Sequence, residues 1–369
     1  MENWSIYHFK DIPFKEAAYI QPELDDYRLN GKIFSMYGME EPYKTLQELI
    51  KLHRSICYVR SDDLSRGTGK SALMAKVYWD IKEGGINGEL FPVWIGVHDF
   101  RTINQLMGRV VDTLVFVGIT NIIKEKLGTV NYSNVDKFLK QKKNQRLPGE
   151  IAALTEILSL PNEMLAWKYI NIRRKYPTMG SVELFSDLLI MFSLADPRRV
   201  IVFIDQFEEY AEYQKGARLV QMGQDIKDLY RCMASCGNLS FVMTMHPRTQ
   251  RDFEMRAGEI IKTYGEIMDN AATVTRLEPD HLVKIAEKYI EHYRCEDFSK
   301  KLGYVFPFAK SVLTYVAENS ANNPRTMIRI LGNLLREAML SNTKEITQSF
   351  VETPKIHSRV GLGAIASES

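Results

Sequence analysis

Residues 55–81 read SICYVRSDDLSRGTGKSALMAKVYWDI. An apolar run from Ile56 to Val59 gives way to a polar loop that carries Gly67 and Gly69. Leu73, Met74, Val77, Tyr78 and Ile81 then recur at helical spacing. The pattern predicts a strand at 55–60, a glycine-rich loop at 64–70 and a helix from Lys70 that Gly84 and Gly85 stop. A strand that turns through glycines into the start of a helix is the setting a phosphate-binding loop requires.

The loop itself is Leu64-Ser65-Arg66-Gly67-Thr68-Gly69-Lys70-Ser71. Gly67 and Gly69 allow backbone conformations and close approaches that a Cβ would obstruct. The N–H groups of Ser65, Arg66, Gly67, Thr68 and Gly69 can then converge into an anion nest. The helix start adds roughly half a positive charge at the same point. In this reading Lys70 reaches the β- and γ-phosphates of a nucleoside triphosphate, and Ser71 offers its hydroxyl to Mg²⁺. The pattern GxxxxGK[ST] has glycine where this chain has Leu64, and Asp62 and Asp63 precede the loop.

Working outward, a helix is expected at 42–54 and a second strand at 91–97, where the chain reads FPVWIGV. A helix at 102–117 follows. Residues 118–180 read as a helical, polar insertion with a basic run at 137–146. A helix at 182–194 leads to RVIVFID at 199–205, an apolar β-branched run fit for the centre of a parallel sheet covered on both faces. A helix at about 216–236, a buried strand at 239–245 and a fifth strand at 271–277 complete the alternation. After Pro279 the strands give way to helices at 280–293, 307–319, 324–340 and 344–351. The fold class is therefore α/β: a five-stranded parallel P-loop sheet flanked by helices, with a C-terminal all-helical lid domain. The expected organisation is an N-terminal segment and helix at 1–54, the P-loop domain at 55–278 with its insertion at about 118–180, the lid at 279–352 and a flexible tail at 353–369.

The strand at 199–205 ends in Asp205, which puts a carboxylate at the C-terminal edge of the sheet, where open α/β sheets bind ligands. Asp205 is then the Mg²⁺-side carboxylate. Hydrolysis needs a group to orient or deprotonate the attacking water. Gln206 stands directly after Asp205, so the candidates are Glu208 and, second, Glu209. Thr244 and His246 stand at the end of the next strand, where a polar side chain could sense the γ-phosphate. Arg248 and Arg251 follow, placed for a neighbouring subunit's γ-phosphate if subunits pack head to tail.

Composition narrows the classes. The chain has 369 residues, enough for two domains, and a net charge of only +2, so a nucleic-acid partner would have to meet a local patch. Cys57, Cys232, Cys236 and Cys295 lack the paired spacing of a zinc site and read as reduced thiols. The first residues, MENWSIYHFKD, hold no apolar signal core, and no stretch reaches the ~20 apolar residues of a membrane span. The expected compartment is the cytoplasm, with no membrane partner.

On these motifs the chain resembles AAA+ and STAND-type P-loop ATPases over about residues 35–350, the insertion excepted. Tyr37-Gly38-Met39-Glu40-Glu41 before a helix is similar to the segment that lies against adenine in origin-initiator-like AAA+ proteins, which implies base-side roles for Tyr37 and Gly38. Asp205-Gln206-Phe207-Glu208-Glu209 resembles the STAND and NACHT Walker B pattern, and Thr244-Met245-His246-Pro247 their sensor 1. Asn322-Asn323-Pro324-Arg325 resembles the Gly-Asn-Pro-Arg sensor 2 of initiator and transposition-regulator ATPases, with Asn322 in place of glycine. The resemblance implies ATP and Mg²⁺ as cofactors, a γ-phosphate contact from Arg325 and a nucleotide-dependent homo-oligomer. Two clients fit. One is DNA, met by Lys137, Lys140, Lys142, Lys143 and Arg146 and by Arg173, Arg174 and Lys175. The other is a protein client, with the chain as a signalling or defence scaffold that retains ATP and turns it over little. A small-molecule kinase fits less well than either, given the helical lid.

Overall fold

A computed structural model describes residues 4–14, 37–52, 56–62, 67–86, 88–96, 110, 113–114, 118–141, 148–159, 181–207, 238–247, 270–295, 298 and 303–362. In chain order the elements are α1 (Glu40–Lys51), β1 (Ile56–Ser61), α2 (Lys70–Lys82), β2 (Leu90–Gly96), α3 (Ile119–Leu127), α4 (Tyr132–Lys140), α5 (Pro148–Ser159), α6 (Ser181–Ala195), β3 (Arg199–Asp205), β4 (Leu239–Met245), β5 (Ala271–Val274), α7 (Pro279–Tyr293), α8 (Lys310–Glu318), α9 (Pro324–Leu340), α10 (Gln348–Val351) and α11 (Pro354–Val360). They fall into two compact units. Met1–Lys44, Ser61–Lys76 and Thr273–Ser369 make one; Thr45–Arg60 and Val77–Ala272 make the other. The helices expected at 102–117 and 216–236 lie outside the described residues, apart from Val110, Thr113 and Leu114.

The five strands form one sheet in the order β2-β3-β4-β1-β5. β2 pairs in parallel with β3, β3 with β4 and β4 with β1. Backbone N–H groups of Tyr58 and Asp62 donate to the carbonyls of Asn270 and Val274, which carries the same direction to β5. Every residue of β3 and β4 is buried, as their apolar sequences require. β2 takes the edge, where Pro92, lacking a backbone donor, is tolerated. The parallel order brings the C-terminal ends of β1, β3 and β4 out at one edge of the sheet, with Asp205 at the end of β3.

On one face of the sheet, Tyr78 from α2 meets Trp94 and Phe203 edge-on at 5.7 Å, and the Trp94 and Phe203 rings stack at 6.0 Å. Val200, Val202, Ile204, Phe241 and Met243 belong to a second apolar cluster with residues of α3, α4, α5 and α6. The insertion was expected to be polar. Instead Ile119, Ile123, Val135, Phe138, Leu139, Ile151, Leu154, Ile157 and Leu158 are buried in that cluster. Its lysines and asparagines occupy the outer faces of short amphipathic helices, and that masked the inner stripes.

The other unit gathers the C-terminal helices. α7 packs on α8 and α9, and α9 packs on α11. The tail expected to be flexible at 353–369 is helical over α11. Pro354 starts that helix, Ile356, Val360 and Leu362 are buried, and Arg359 meets Glu337 of α9 at 3.1 Å. Residues 363–369 lie outside the described set. The N-terminal residues belong to this unit as well. Phe9 bridges Arg294 in antiparallel fashion, and Tyr7 donates its hydroxyl to the Thr343 carbonyl at 2.7 Å. The Arg294 guanidinium sits over Phe9 and Phe298 at 4.4 and 4.1 Å and donates to the carbonyls of Tyr7, Tyr304 and Phe306. Burial pulls Arg294 down to about 10, so it is a cation at neutral pH.

The aromatic layer should carry much of the sheet's stability. Phe203→Ala is expected to cost about 3–5 kcal/mol, read from the urea unfolding midpoint. A change under 1 kcal/mol would mean that Trp94 and Tyr78 do not depend on that ring.

Candidate functional site

The glycine loop is described from Gly67 onward. Gly67 has φ +91° and Gly69 φ +102°, both in the left-handed region where a side chain is strained. Lys70 opens α2 and Leu73 N–H closes the first turn on the Gly69 carbonyl at 2.9 Å. The chain thus curls through two left-handed glycines into a helix N-terminus, the arrangement that gathers backbone N–H groups for an anion. Lys70 is 7% exposed and Thr68 3%. The Thr68 hydroxyl oxygen has no hydrogen-bond partner among the described residues. A buried hydroxyl in that condition is costly unless something polar meets it, and a phosphate would. Asp62, which precedes the loop, is exposed, and its N–H is tied to Val274.

Two other segments of the same unit close on the loop, and a third backs one of them. A Cβ at Gly67 would stand 2.6 Å from the Arg325 Cβ and 2.9 Å from the Asn323 Oδ1. A Cβ at Gly69 would stand 2.2 Å from the Met39 Cε, and Met39 is fully buried. Gly38, at φ +75°, has its Cβ position filled by the His281 Nδ1 and Leu277 Cδ2, both at 2.8 Å. The predicted residues Gly38, Gly67, Gly69, Lys70 and Arg325 are therefore carried by one unit, with the lid's Arg325 against Gly67. Tyr37 adjoins Gly38 in the same segment, and Ser71 adjoins Lys70 in α2.

The lid segment is built from its caps. Asn323 accepts the N–H groups of Arg325 at 3.0 Å and Thr326 at 3.2 Å, and Pro324 occupies the first turn of α9. Ala321 and Asn322 both have positive φ, +52° and +57°. The left-handed backbone explains how asparagine can stand at 322 where the resembling families have glycine, since asparagine tolerates that region better than most side chains.

The other predicted group lies on the sheet, in the second unit. Asp205 is 4% exposed at the end of β3. Gln206 takes φ +57° and donates its N–H to the Asp205 Oδ1 at 2.9 Å. Phe207 then donates its N–H to the Thr244 Oγ1 at 3.3 Å. Thr244 thus ties the end of β4 to the turn after β3, a link that orients the residues following Asp205. His246 is buried next to it. Ser65, Arg66, Glu208 and Glu209 lie outside the described residues, as do Leu64, Arg248, Arg251, Cys232 and Cys236. Of the basic runs, Lys137 and Lys140 are described and exposed, and Lys140 is paired with Asp136 at 2.6 Å.

Among the described residues no cluster of three or more His, Cys, Asp or Glu side chains could hold a metal. Ser71 in one unit and Asp205 in the other are each single oxygen donors, the ligand type that Mg²⁺ takes. Among those residues, too, no helix is long and apolar enough to cross a membrane. Met39, His281 and Asn323 were not singled out as site residues from the sequence. Asn323 carries a readable signal, an Asn-Pro pair ahead of a helical apolar run. Met39 and His281 carry none.

No protein-family model matches the chain, and no curated protein matches it. Solved structures do. The ORC2 protein of Aeropyrum pernix in its ADPNP-ADP complexes has a TM-score of 0.54 and 12% identity, over 98% of this chain and 73% of that one. The ADP form of that protein gives 0.53 and 12%, over 96% and 73%. A Walker-type ATPase of Pyrococcus abyssi gives 0.47 and 14%, over 97% and 80%. The likeness to ORC2 shows the fold, a parallel α/β sheet domain joined to a helical domain.

The close approaches at the loop can be separated from backbone strain alone. Gly84 also has positive φ, +79°, but open space around it. Gly84→Ala is expected to cost about 1 kcal/mol by denaturant unfolding, and Gly69→Ala clearly more. Met39→Ala should restore part of the Gly69→Ala loss in a double-mutant cycle. Equal losses at 69 and 84 would show that Met39 does not fill the Cβ position.

Proposed function

We propose that this chain, built on the fold of the ORC2-type AAA+ ATPases, is a nucleotide switch that binds ATP with Mg²⁺. The observation that carries the reading is the loop at 67–71, with two left-handed glycines, a buried Lys70 at a helix start and a buried Thr68 hydroxyl without a partner among the described residues. The ADP and ADPNP complexes of the Aeropyrum pernix protein support the same ligand class. In this reading the N–H groups of 65–69 cradle the phosphates and Lys70 neutralises the β- and γ-phosphates. Ser71 and Asp205 are assigned to the metal. Mg²⁺, when bound, draws charge off the phosphoryl oxygens. Tyr37 and Gly38 are assigned to the base side, and Arg325 to the γ-phosphate.

Turnover needs a water-orienting carboxylate, assigned to Glu208 and, second, Glu209, with Thr244 holding the turn from which they follow. Nucleotide-dependent self-assembly and DNA binding through the insertion complete the reading. Lys137 stands exposed on α4 while Val135, Phe138 and Leu139 anchor that helix. A second reading, a protein-directed scaffold that retains ATP with little turnover, is favoured by one observation. Gln206 stands where the usual pair has glutamate, and its N–H already engages the Asp205 carboxylate.

Calorimetry with ATP and Mg²⁺ tests the first claim. The wild-type chain should bind, Lys70→Ala should weaken binding by about a hundredfold, as losing charge-assisted bonds implies, and Asp205→Ala should remove the Mg²⁺ dependence. No heat from the wild type, or an unchanged Lys70→Ala, would refute it.

Phosphate release then separates the two readings. A switch that hydrolyses should be slowed by Glu208→Gln or Glu209→Gln, and a scaffold should show slow wild-type turnover with tight retention. Particle sizing with ATP, without it and with added DNA at low and high salt tests assembly and client together.

A further inference from the structure

Helix α9 carries a glycine, Gly332, in its middle, where glycine weakens a helix relative to alanine. Its surroundings account for it. A Cβ at 332 would stand 2.7 Å from the carbonyl oxygen of Phe14. The N-terminal segment crosses α9 there with its backbone. Seven residues earlier, roughly two turns along the same helix, Arg325 packs against Gly67 of the loop. One rigid rod therefore touches the N-terminal segment at its middle and the phosphate loop at its start.

The segment is fastened along its length. Its Lys10 N–H donates to the Tyr293 carbonyl and its His8 carbonyl accepts from Cys295, both at 2.9 Å. The Phe14 ring packs against Phe308 and Tyr289 at 5.8 and 6.1 Å. The Tyr7 hydroxyl reaches the Thr343 carbonyl just beyond the end of α9. Trp4, Tyr7, Phe9, Ile12 and Phe14 are all buried. The segment grips α7 on one side and α9 at its middle and far end on the other, which leaves α9 little freedom to slide.

We propose that residues 4–14 are a control strap for the lid: by holding α9 at Gly332 and Thr343 they set how the capped start of α9, Asn323 to Thr326, is presented to the phosphate loop. Releasing the strap loosens the cap and the Arg325 contact with Gly67, and fastening it restores both. The N-terminus thereby tunes the nucleotide response from a distance, through a helix rather than through the sheet. The effect on nucleotide rests on the phosphate-binding reading above, while the coupling of strap to cap does not.

Hydrogen exchange on the full chain decides it. Gly332→Ala strengthens the helix itself but drives a Cβ into the Phe14 carbonyl. Phe14→Ala leaves α9 unaltered, and Tyr7→Phe removes a single hydroxyl. The amides of Arg325 and Thr326, which donate to Asn323, are the readout. In Gly332→Ala and Phe14→Ala they should exchange at least tenfold faster than in the wild type, and in Tyr7→Phe by a smaller factor. Faster exchange confined to residues 4–14, with Arg325 and Thr326 unchanged, would overturn the coupling and leave the segment a passive part of the core. If a variant unfolds, Tyr7→Phe alone decides in the same terms. Titration with Mg²⁺ and ADPNP should show at least fivefold weaker binding in Phe14→Ala. A wild-type chain that binds no nucleotide would end the functional reading but not the coupling, which the exchange measures independently.

Discussion

At Gly67 and Gly69 the backbone runs through left-handed φ values with no room for a Cβ, because the lid's Arg325 and Asn323 fill the space at one glycine and Met39 fills it at the other. The nucleotide reading depends on that turn. At the two glycines the loop presents backbone rather than side chain, and backbone N–H groups at a helix start favour anions. The same crowding makes the loop a junction. The start of α9 and the segment at 37–39 are in direct contact with the glycines through the side chains of Arg325, Asn323 and Met39.

The sheet imposes a constraint of its own. β3 and β4 can sit at its centre because they are apolar on both faces, and a parallel arrangement then brings their C-terminal ends to one edge. Asp205 is buried at that edge, and its carboxylate accepts the N–H of Gln206. The left-handed Gln206 lets the chain turn sharply after the strand, and the Phe207 N–H finds the Thr244 hydroxyl. A positive φ on a non-glycine residue at the end of a buried strand is the kind of local strain that the surrounding structure must hold in place.

Much of this was legible because the informative residues act locally. GTGKS between a strand and a helix, the apolar run ending at Asp205, and Asn-Pro-Arg ahead of α9 each reveal themselves within a few positions. The five strands were legible for the same reason, and the structure has them in one parallel sheet. The insertion was misjudged as polar since short helices with a narrow buried stripe look polar by composition. α11 was missed because seven residues are too few for a clear period, and it is its packing on α9 that makes it a helix.

What the sequence by itself determined is the alternation of strands and helices and the glycine turn between β1 and α2, because dihedral preference and apolar period are properties of neighbours along the chain. Only the tertiary structure decided that Met39 backs Gly69, that His281 and Leu277 back Gly38, that Thr244 caps the turn after Asp205, and that residues 4–14 lie across α9 at Gly332. These are contacts between segments far apart in the chain. Such contacts leave no local periodicity to read, and they exist only once burial of apolar surface has brought the segments together.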